Sequence, residues 1–302
     1  MSPTTADPVT VSLADLSSSS VPFSTLSAAF GPTSLGILVV RDLPPRYQEL
    51  RTRLLTLARD LGNLPDEELK KLECAEAKYL VGWSKGKEKL ANDKPDTLKG
   101  SFYVNCQEAP QDVVKKYKDL PEYTHANIWP SEDLLKGFKE TFQELCDLII
   151  STAVLVARGC DLYATSHIPS YPPSYLETIV RTSTTTKARL LHYFPSPPSS
   201  ESSGSDDWCG THLDHGCLTG LTSALYFNGT PEPEAGLYIQ DRTGQTVKVD
   251  IPEDCLAFQT GEALERITRG EFKAVPHLVR GSSKEGVSRS TLAVFTRKCP
   301  GL

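Results

Sequence analysis

Two histidines and an aspartate stand close together in the stretch THLDHGC, residues 211–217. If this stretch is an extended strand, its side chains alternate between two faces, so His212 and Asp214 point one way and His215 points the other. One neutral imidazole and one carboxylate do not complete a metal site, so a third ligand must come from elsewhere. The His-x-Asp pattern also occurs by chance, and zinc suits these ligands as iron does.

A third ligand is available in the stretch FKAVPHLVRG, where His277 lies on a later predicted strand of the same region. Neighbouring strands of a rolled sheet can bring His277 opposite the first pair. His125, His167 and His192 compete for the same role. Two histidines and one carboxylate on one side of an ion, with the other positions open, fit non-haem Fe(II) in oxygen chemistry.

A carboxylate-binding pair follows in the stretch SRSTLAVF, residues 288–295. Strand alternation places Arg289 and Thr291 on one face. A guanidinium fork beside a hydroxyl suits a carboxylate group. An oxygenase of this type needs such a seat for an oxo-acid co-substrate.

The elements that must position these residues change in character along the chain. The N-terminal half is predicted to be rich in helices. Apolar and helical periodicity predicts a buried strand within 34–44, a helix directly after it, a loop over 77–100, a short strand over 101–105 and the longest helix within 132–159. A Pro/Ser/Gly-rich segment, 195–207, predicts an exposed loop that could close on substrate.

From about residue 187 the chain consists of short apolar runs separated by turn residues. The stretch around DRTGQ has the composition of a hairpin turn between two strands. Several short strands at this spacing predict an antiparallel sandwich or barrel.

Composition limits the possible function classes. The 302-residue chain has a net charge of −6 and no long basic run, which disfavours nucleic-acid binding. The longest apolar stretch, 145–157, is too short to span a bilayer, so no membrane association is expected. The eight cysteines form no Cys-x-x-Cys pair, and the N-terminus has no secretory signal pattern. Free thiols and a cytoplasmic location are therefore expected, with a plastid or the nucleus left open.

In this order the motifs resemble the isopenicillin N synthase-like branch of the Fe(II)/2-oxoglutarate-dependent oxygenases. The resemblance extends over most of the chain. It includes SLGILVVRDLP with the following helix and LPDEELKKL, then NIWP, ARLLHYFP, THLDHGCLTGL, the GLYIQDRTGQTVKVDI hairpin with its Gly-Glu turn, VPHLV, and the Arg-Ser-Thr triplet that begins at Arg289. Two positions depart from the family pattern: Leu191 stands where the family has Asn, and Thr291 stands where Ser is commoner.

The resemblance implies an α+β fold with a double-stranded β-helix (jelly-roll) core. It further implies a single domain over 1–302, with a helix-rich region 1–186 that includes the first core strands, packed on a core over 187–302. Fe(II) would be held by His212, Asp214 and His277. The far carboxylate of 2-oxoglutarate would be bound by Arg289, Thr291 and Tyr193, and O2 would be the oxidant.

A small organic molecule is the expected substrate, with succinate and CO2 released. In relatives the strand that contains Tyr103 and Asn105 lines the substrate pocket, and Phe258 is expected at an inward position. Hydroxylation, desaturation, ring formation and demethylation all remain open, as does the oligomeric state. Two alternatives remain as well: an iron oxidase of the same fold that does not use 2-oxoglutarate, and a non-catalytic ligand-binding module.

Overall fold

A computed structural model describes residues 4–88, 95–195, 207–282 and 284–298. Its helices are α1 Leu13–Ser17, α2 Phe23–Phe30, α3 Arg46–Gly62, α4 Asp66–Lys71, α5 Gln111–Lys116, α6 Pro121–Thr124, α7 Phe138–His167, α8 Tyr175–Thr182 and α9 Glu262–Ile267. Its strands are β1 Thr5–Ala6, β2 Val9–Ser12, β3 Ile37–Arg41, β4 Gly82–Lys85, β5 Lys99–Asn105, β6 Lys187–Tyr193, β7 Asp207–His212, β8 Leu218–Thr222, β9 Leu225–Phe227, β10 Gly236–Gln240, β11 Thr246–Val249, β12 Leu256–Thr260, β13 His277–Arg280 and β14 Ser288–Phe295.

The strands form two sheets that face each other. The smaller sheet has the order β1-β11-β10-β13-β7, and the larger has the order β2-β3-β12-β8-β14-β6-β5-β4, with β9 paired to β14. Ile37 and Val39 of the larger sheet pack against Ile239 and Val249 of the smaller one in a shared apolar cluster. Two sheets joined through such a core make a sandwich whose inner space can hold a ligand.

Strand alternation on β6 divides the larger sheet into two functional faces. Ala188 and Leu190 belong to the main core under the helices, whereas Leu191 and Tyr193 belong to a cluster between the sheets. Because successive side chains point to opposite faces, one strand serves both the helix layer and the inner cavity.

The longest helix, α7, supports the outer face of the larger sheet. It extends from Phe138 to His167 and follows Gly137, whose positive φ of 71° places the backbone in the left-handed region that glycine tolerates. The fully buried side chains of Phe142, Leu145 and Ile149 recur at helical spacing and face the sheet. The helix predicted within 132–159 is therefore present, and it continues eight residues beyond 159.

Other parts of the sequence prediction met different outcomes. The segment 77–100 was predicted to be a loop, but it contains β4, which pairs with β5. The hairpin around DRTGQ is present as the antiparallel pair β10 and β11. Apart from its end residues, the segment 195–207 lies outside the described residues. The seven cysteines within the described ranges are all free thiols.

The N-terminal region contributes β1 to the smaller sheet and β2–β5 to the larger one. The single-domain organisation with its division after residue 186 stays a prediction. Over the described ranges, no helix is both long enough and apolar enough to cross a membrane.

Candidate metal centre and substrate cavity

The structure brings His212, Asp214 and His277 together. His212 ends β7 and His277 begins β13, and the two residues are direct partners across these antiparallel strands. Asp214 follows two residues after His212, so its carboxylate reaches both rings: Oδ1 lies 3.8 Å from Nε2 of His212, and Oδ2 lies 3.9 Å from Nε2 of His277. One donor atom from each residue lies within 4.8 Å of the others.

Backbone carbonyls orient both imidazole rings. Nδ1 of His212 lies 2.9 Å from the carbonyl oxygen of Gly210, and Nδ1 of His277 lies 3.3 Å from that of Val275. A carbonyl only accepts, so each Nδ1 carries the proton and donates it. Each neutral ring then keeps the lone pair of Nε2 for a cation, which is the tautomer that metal-binding histidines require.

The electrostatics of the cluster fit a bound cation. Asp214 and His277 are buried, and Oδ2 of Asp214 has no hydrogen-bond partner among the described residues. Burial lowers the pKa of His277. Burial also opposes a charge on His212, but the adjacent Cys209 sulfur outweighs it and raises the pKa of His212 to about 9, so a cation must displace the proton of Nε2 before this ring can bind it. Two imidazoles and one carboxylate with an open side form the donor set of non-haem Fe(II).

One premise of the sequence prediction is wrong, although the pair it selected does converge. The strand ends at His212, so the residues up to His215 are not an extended strand. Asp214 meets the histidines from the connection after β7, where residues 213–215 form neither a strand nor a turn. His215 points away, with a side chain 78% exposed and bonded to Glu262. Cys217 lies in the main apolar core, as expected for a structural residue.

A cavity opens between the two sheets, and the three residues of the metal cluster lie in its wall. The rest of the lining is largely apolar and comes from both sheets, including Leu191, Leu221, Leu237, Ile251, Ala293 and Phe295. An apolar cleft with a few converging polar groups is the usual form of a small-molecule site.

A buried cation lies on the same wall. Arg289 is only 6% exposed, and its Nε and Nη1 atoms have no hydrogen-bond partner among the described residues. It is the strand partner of Tyr193 on β6 and of Tyr226 on β9, and its guanidinium carbon lies 5.3 Å from the centre of the Tyr193 ring. The Tyr193 ring in turn stacks on Trp208, with centroids 5.2 Å apart. Unused donors of a buried guanidinium fork suit an anionic ligand.

Thr291 lies two residues after Arg289 and also lines the cavity. Its hydroxyl oxygen is 3.3 Å from the carbonyl oxygen of Thr222, to which it donates. Its strand partner is Leu191, the position where the resembled family has Asn. The apolar Leu191 removes one polar contact from this part of the cavity, so Arg289, Tyr193 and Thr291 must supply the polar groups.

The structure does not bring Tyr103 and Asn105 into the cavity wall. The Tyr103 hydroxyl donates to Oε1 of Glu88 at 3.0 Å. The Asn105 side chain donates to the carbonyl oxygen of His125 and accepts from Nζ of Lys187, at 3.1 and 2.7 Å. The amide of Asn105 is therefore used within the protein.

The inward position predicted for Phe258 is wrong. Phe258 is fully buried in the main core on the helix side of the larger sheet, next to Gly220. Its neighbour on β12, Ala257, instead belongs to the cluster between the sheets. Because side chains alternate along a strand, the two residues face opposite ways, and Phe258 faces away from the cavity.

The competing histidines do not join the metal cluster. His192 is buried on the opposite face of β6 from Tyr193, and its Nδ1 lies 2.9 Å from the Ser290 hydroxyl. Burial, reinforced by the charges of Arg59 and Lys85, lowers the pKa of His192 to about 4. His125 bonds its neighbouring backbone, and His167 stacks on Tyr163 at the end of α7.

Sequence reasoning missed Arg189, which lines the cavity and bonds Glu88. Its position four residues before Tyr193 on the same strand was a usable signal, since both side chains point to one face. Burial raises the pKa of Glu88, but the charges of Arg189 and Lys99 outweigh it and lower that pKa to about 2. Glu88 itself precedes an undescribed segment and had no signal in the sequence.

Comparison with known proteins agrees with this geometry. Residues 185–298 match the family model of the 2OG-Fe(II) oxygenase superfamily, and the matched segment contains the metal cluster and Arg289. A curated relative, the 2-oxoglutarate-dependent dioxygenase citB of Monascus ruber, is 28% identical over 156 residues, which are 51% of this chain and 44% of that protein. The chain thus spans less than half the length of this relative.

Solved structures share the fold. A full-length Neurospora crassa protein in complex with alpha-KG and thymine has a TM-score of 0.72 at 21% identity, covering 96% of this chain and 85% of that one. The rice dioxygenase for auxin oxidation has a TM-score of 0.62 at 20% identity, covering 97% and 83%. These likenesses confirm the predicted α+β jelly-roll fold class. Over residues 185–298, the chain is similar to the 2OG-Fe(II) oxygenase superfamily.

Proposed function

We propose that this protein is an Fe(II)- and 2-oxoglutarate-dependent oxygenase that oxidises a small organic molecule and releases succinate and CO2. The observation that carries the proposal is that one cavity wall holds both the His212, Asp214 and His277 cluster and the unsatisfied guanidinium of Arg289. The first supplies a cation site with an open side, and the second supplies an anion site.

Each residue has a defined task in this proposal. His212, Asp214 and His277 hold the metal through Nε2, carboxylate oxygen and Nε2. Bound Fe(II) would supply the redox chemistry that couples O2 reduction to 2-oxoglutarate decarboxylation and substrate oxidation. Arg289 binds the far carboxylate of 2-oxoglutarate through its free donors, and Tyr193 and Thr291 add hydroxyl groups beside it.

The surroundings of the site support a water-poor reaction chamber. The apolar side chains of Leu221, Ala293 and Phe295 line the same cavity and limit the water that reaches the reacting groups. The His212 side chain is 43% exposed, whereas those of Asp214 and His277 are nearly buried, so the cluster faces solvent on the His212 side. Substrate would approach from that side.

The substrate is proposed to be a small organic molecule, without a nucleic-acid or membrane partner. The apolar lining of the cavity supports this class. The named ligands of the structural relatives also support it: thymine in one case and, by its name, auxin in the other. A cytoplasmic location is proposed from the free thiols of the described residues.

Succinate release tests the proposal. The full chain is incubated with Fe(II), ascorbate, O2 and 2-oxoglutarate, with and without pooled small-molecule extracts, and succinate is quantified. We expect extract-stimulated succinate from the wild type, none from Asp214→Ala, and substantial release from His215→Ala as the matched control. Oxidation of an extract component without succinate would instead indicate the oxidase alternative, and no Fe(II)-dependent reaction at all would indicate a binding module.

A further inference from the structure

A second cationic cluster meets the same cavity at Arg189, the member of the cluster that lies in the cavity wall. Arg189 lines the cavity, and its Nε and Nη2 atoms donate to the Ser101 hydroxyl at 3.0 and 2.9 Å. Nη2 also donates to Glu88 Oε1, which accepts from the Tyr103 hydroxyl at 3.0 Å. Nζ of Lys99 lies 2.9 Å from the other Glu88 oxygen. A single carboxylate is therefore held by two cations and one hydroxyl.

This cluster is separate from the proposed 2-oxoglutarate site at Arg289. On the β14–β6 ladder, Arg289 is opposite Tyr193, whereas Arg189 is opposite Ala293. Tyr193 and Arg189 are four residues apart on β6, a distance of about 13 Å along a strand. One cavity thus presents two guanidinium groups, and 2-oxoglutarate accounts for only one of them.

The members of the cluster differ in how freely they can move. Lys99 and Tyr103 are buried, the Arg189 side chain is 17% exposed, and all three residues lie on the paired strands β5 and β6. The Glu88 side chain is 41% exposed and follows β4 outside any strand. Its backbone is tied by the Asp96 N–H, which donates to the Glu88 carbonyl at 2.9 Å. Rotation of the side chain alone would therefore carry the carboxylate out of the cluster.

Such a rotation would take the carboxylate partner from Arg189 but not from Lys99. Lys99 would keep a carboxylate, because its Nζ also lies 2.9 Å from Oδ2 of Asp96. Glu88 is the carboxylate partner of Arg189 in the described part of the chain, so Arg189 would keep only the Ser101 hydroxyl. A buried cation without a counter-charge is costly. An incoming carboxylate could replace Glu88 with no net change of charge in the site, and the fork geometry of Arg189 suits it.

We propose that Arg189, assisted by Lys99 and Tyr103, binds a carboxylate group of the substrate, and that Glu88 occupies this seat when no substrate is bound. The substrate class is then a small organic acid, with its acidic group at Arg189 and the rest of the molecule directed along the apolar wall toward the metal cluster. Glu88 acts as an intramolecular competitor that excludes neutral molecules of similar shape. The inference rests on the proposed function, since it takes this cavity as the substrate site.

Binding of a matched acid and amide tests the inference. The full chain is loaded with Mn(II) and saturating 2-oxoglutarate, so that Arg289 is occupied and no turnover takes place. Phenylacetate and phenylacetamide are then titrated by calorimetry. We expect the wild type to prefer the acid, and Glu88→Gln to bind phenylacetate about tenfold more tightly or better, because the competing charge is gone. Glu108→Gln, the same change at an exposed position, should behave as wild type.

Substitution of the cation completes the test. Arg189→Gln should remove the preference for phenylacetate over the amide, and Arg189→Lys should restore part of it, since a point charge remains without the fork. Circular dichroism checks that each variant is folded. If Arg189→Gln does not fold, the binding results for Glu88→Gln and Arg189→Lys test the inference instead. Equal binding of acid and amide by wild type and Glu88→Gln, or no binding of either, would overturn the inference.

The two proposals can fail independently. If the protein releases succinate but does not distinguish phenylacetate from phenylacetamide, only the proposal that Arg189 binds a substrate carboxylate fails. If the protein prefers the acid through Arg189 but releases no succinate, only the proposed oxygenase function fails.

Discussion

Replacing Arg289 with methionine should separate stability from co-substrate binding. In the free protein the guanidinium is buried, and two of its nitrogen atoms lack partners among the described residues. Methionine fills similar volume without donors or charge. Arg289→Met should therefore remove the cost of the unsatisfied buried donors in the free protein. It should also remove the group that binds the 2-oxoglutarate carboxylate.

The two magnitudes can be worked from the contacts. Each unsatisfied buried donor costs about 1–3 kcal/mol. Against this, the variant loses the contact between the guanidinium and the Tyr193 ring, 5.3 Å away, and such contacts contribute about 0.5–2 kcal/mol. Two such donors together cost at least about 2 kcal/mol, so the free variant should be at least as stable as wild type. Loss of charge-assisted bonds worth about 1.5–3 kcal/mol should weaken 2-oxoglutarate binding roughly 10- to 150-fold.

Urea unfolding measures the first effect, and calorimetric titration of the Mn(II)-loaded protein with 2-oxoglutarate measures the second. Arg280→Met is the matched control, because that guanidinium also lies over a tyrosine ring, 4.2 Å from the centre of Tyr238, but is not among the buried groups that lack partners. The reasoning is refuted if Arg289→Met binds 2-oxoglutarate within about threefold of wild type, or if the free variant is clearly less stable.

Three further outcomes are expected. Replacing any one of the three proposed metal ligands with alanine should abolish stoichiometric Fe(II) or Mn(II) binding in metal analysis, whereas His215→Ala should retain it; retention by a ligand variant would contradict the assignment. Tyr193→Phe should weaken 2-oxoglutarate binding only about 2- to 12-fold, because one neutral hydrogen bond is lost; an effect as large as that of Arg289→Met would argue against it. The pKa of His192, about 4 when folded against about 6.5 unfolded, means that the unfolded chain takes up the proton first as pH falls. The stability contributed by neutral His192 is therefore complete above pH 6.5 and is lost toward pH 4, by up to about 3 kcal/mol. The unfolding free energy of His192→Gln should fall less than that of wild type over this pH range. An equal fall in both proteins would contradict the assignment of this pH dependence to His192.

The sequence predicted the full metal cluster through its resemblance to the oxygenase family, because the residues alone left four histidines as candidates for the third ligand. His-x-Asp places two ligands within reach of each other, and His277 follows on a strand of the same sheet. Short apolar runs after residue 187 predicted an antiparallel sandwich or barrel, and the family resemblance added the jelly-roll. The strand ends at His212 and does not continue through Asp214, yet the connection after it produces the same convergence.

The residues of the substrate-binding region could not be predicted in the same way. Phe258 was assigned to the wrong face because a strand pattern in which every residue is buried, as in β12, gives no sign of which face is which. Asn105 was selected for its polarity, but Lys187 uses its amide oxygen, a contact between strands that local sequence does not reveal. Glu88 contacts Arg189 from a connection after β4, and only the folded chain shows the two side chains together.

The N-terminal strands have a mechanical consequence for the cavity. Ala6 pairs with Val249 in the smaller sheet, and Val9 pairs with Leu38 in the larger one. Three residue steps span at most about 10–11 Å, and stacked sheets are about 10 Å apart. This short tether is therefore nearly taut, so the sandwich cannot widen at that edge without breaking one of the two ladders. Any breathing that admits a bulky molecule must occur by splaying at the opposite edge, where β7 and β13 carry His212 and His277.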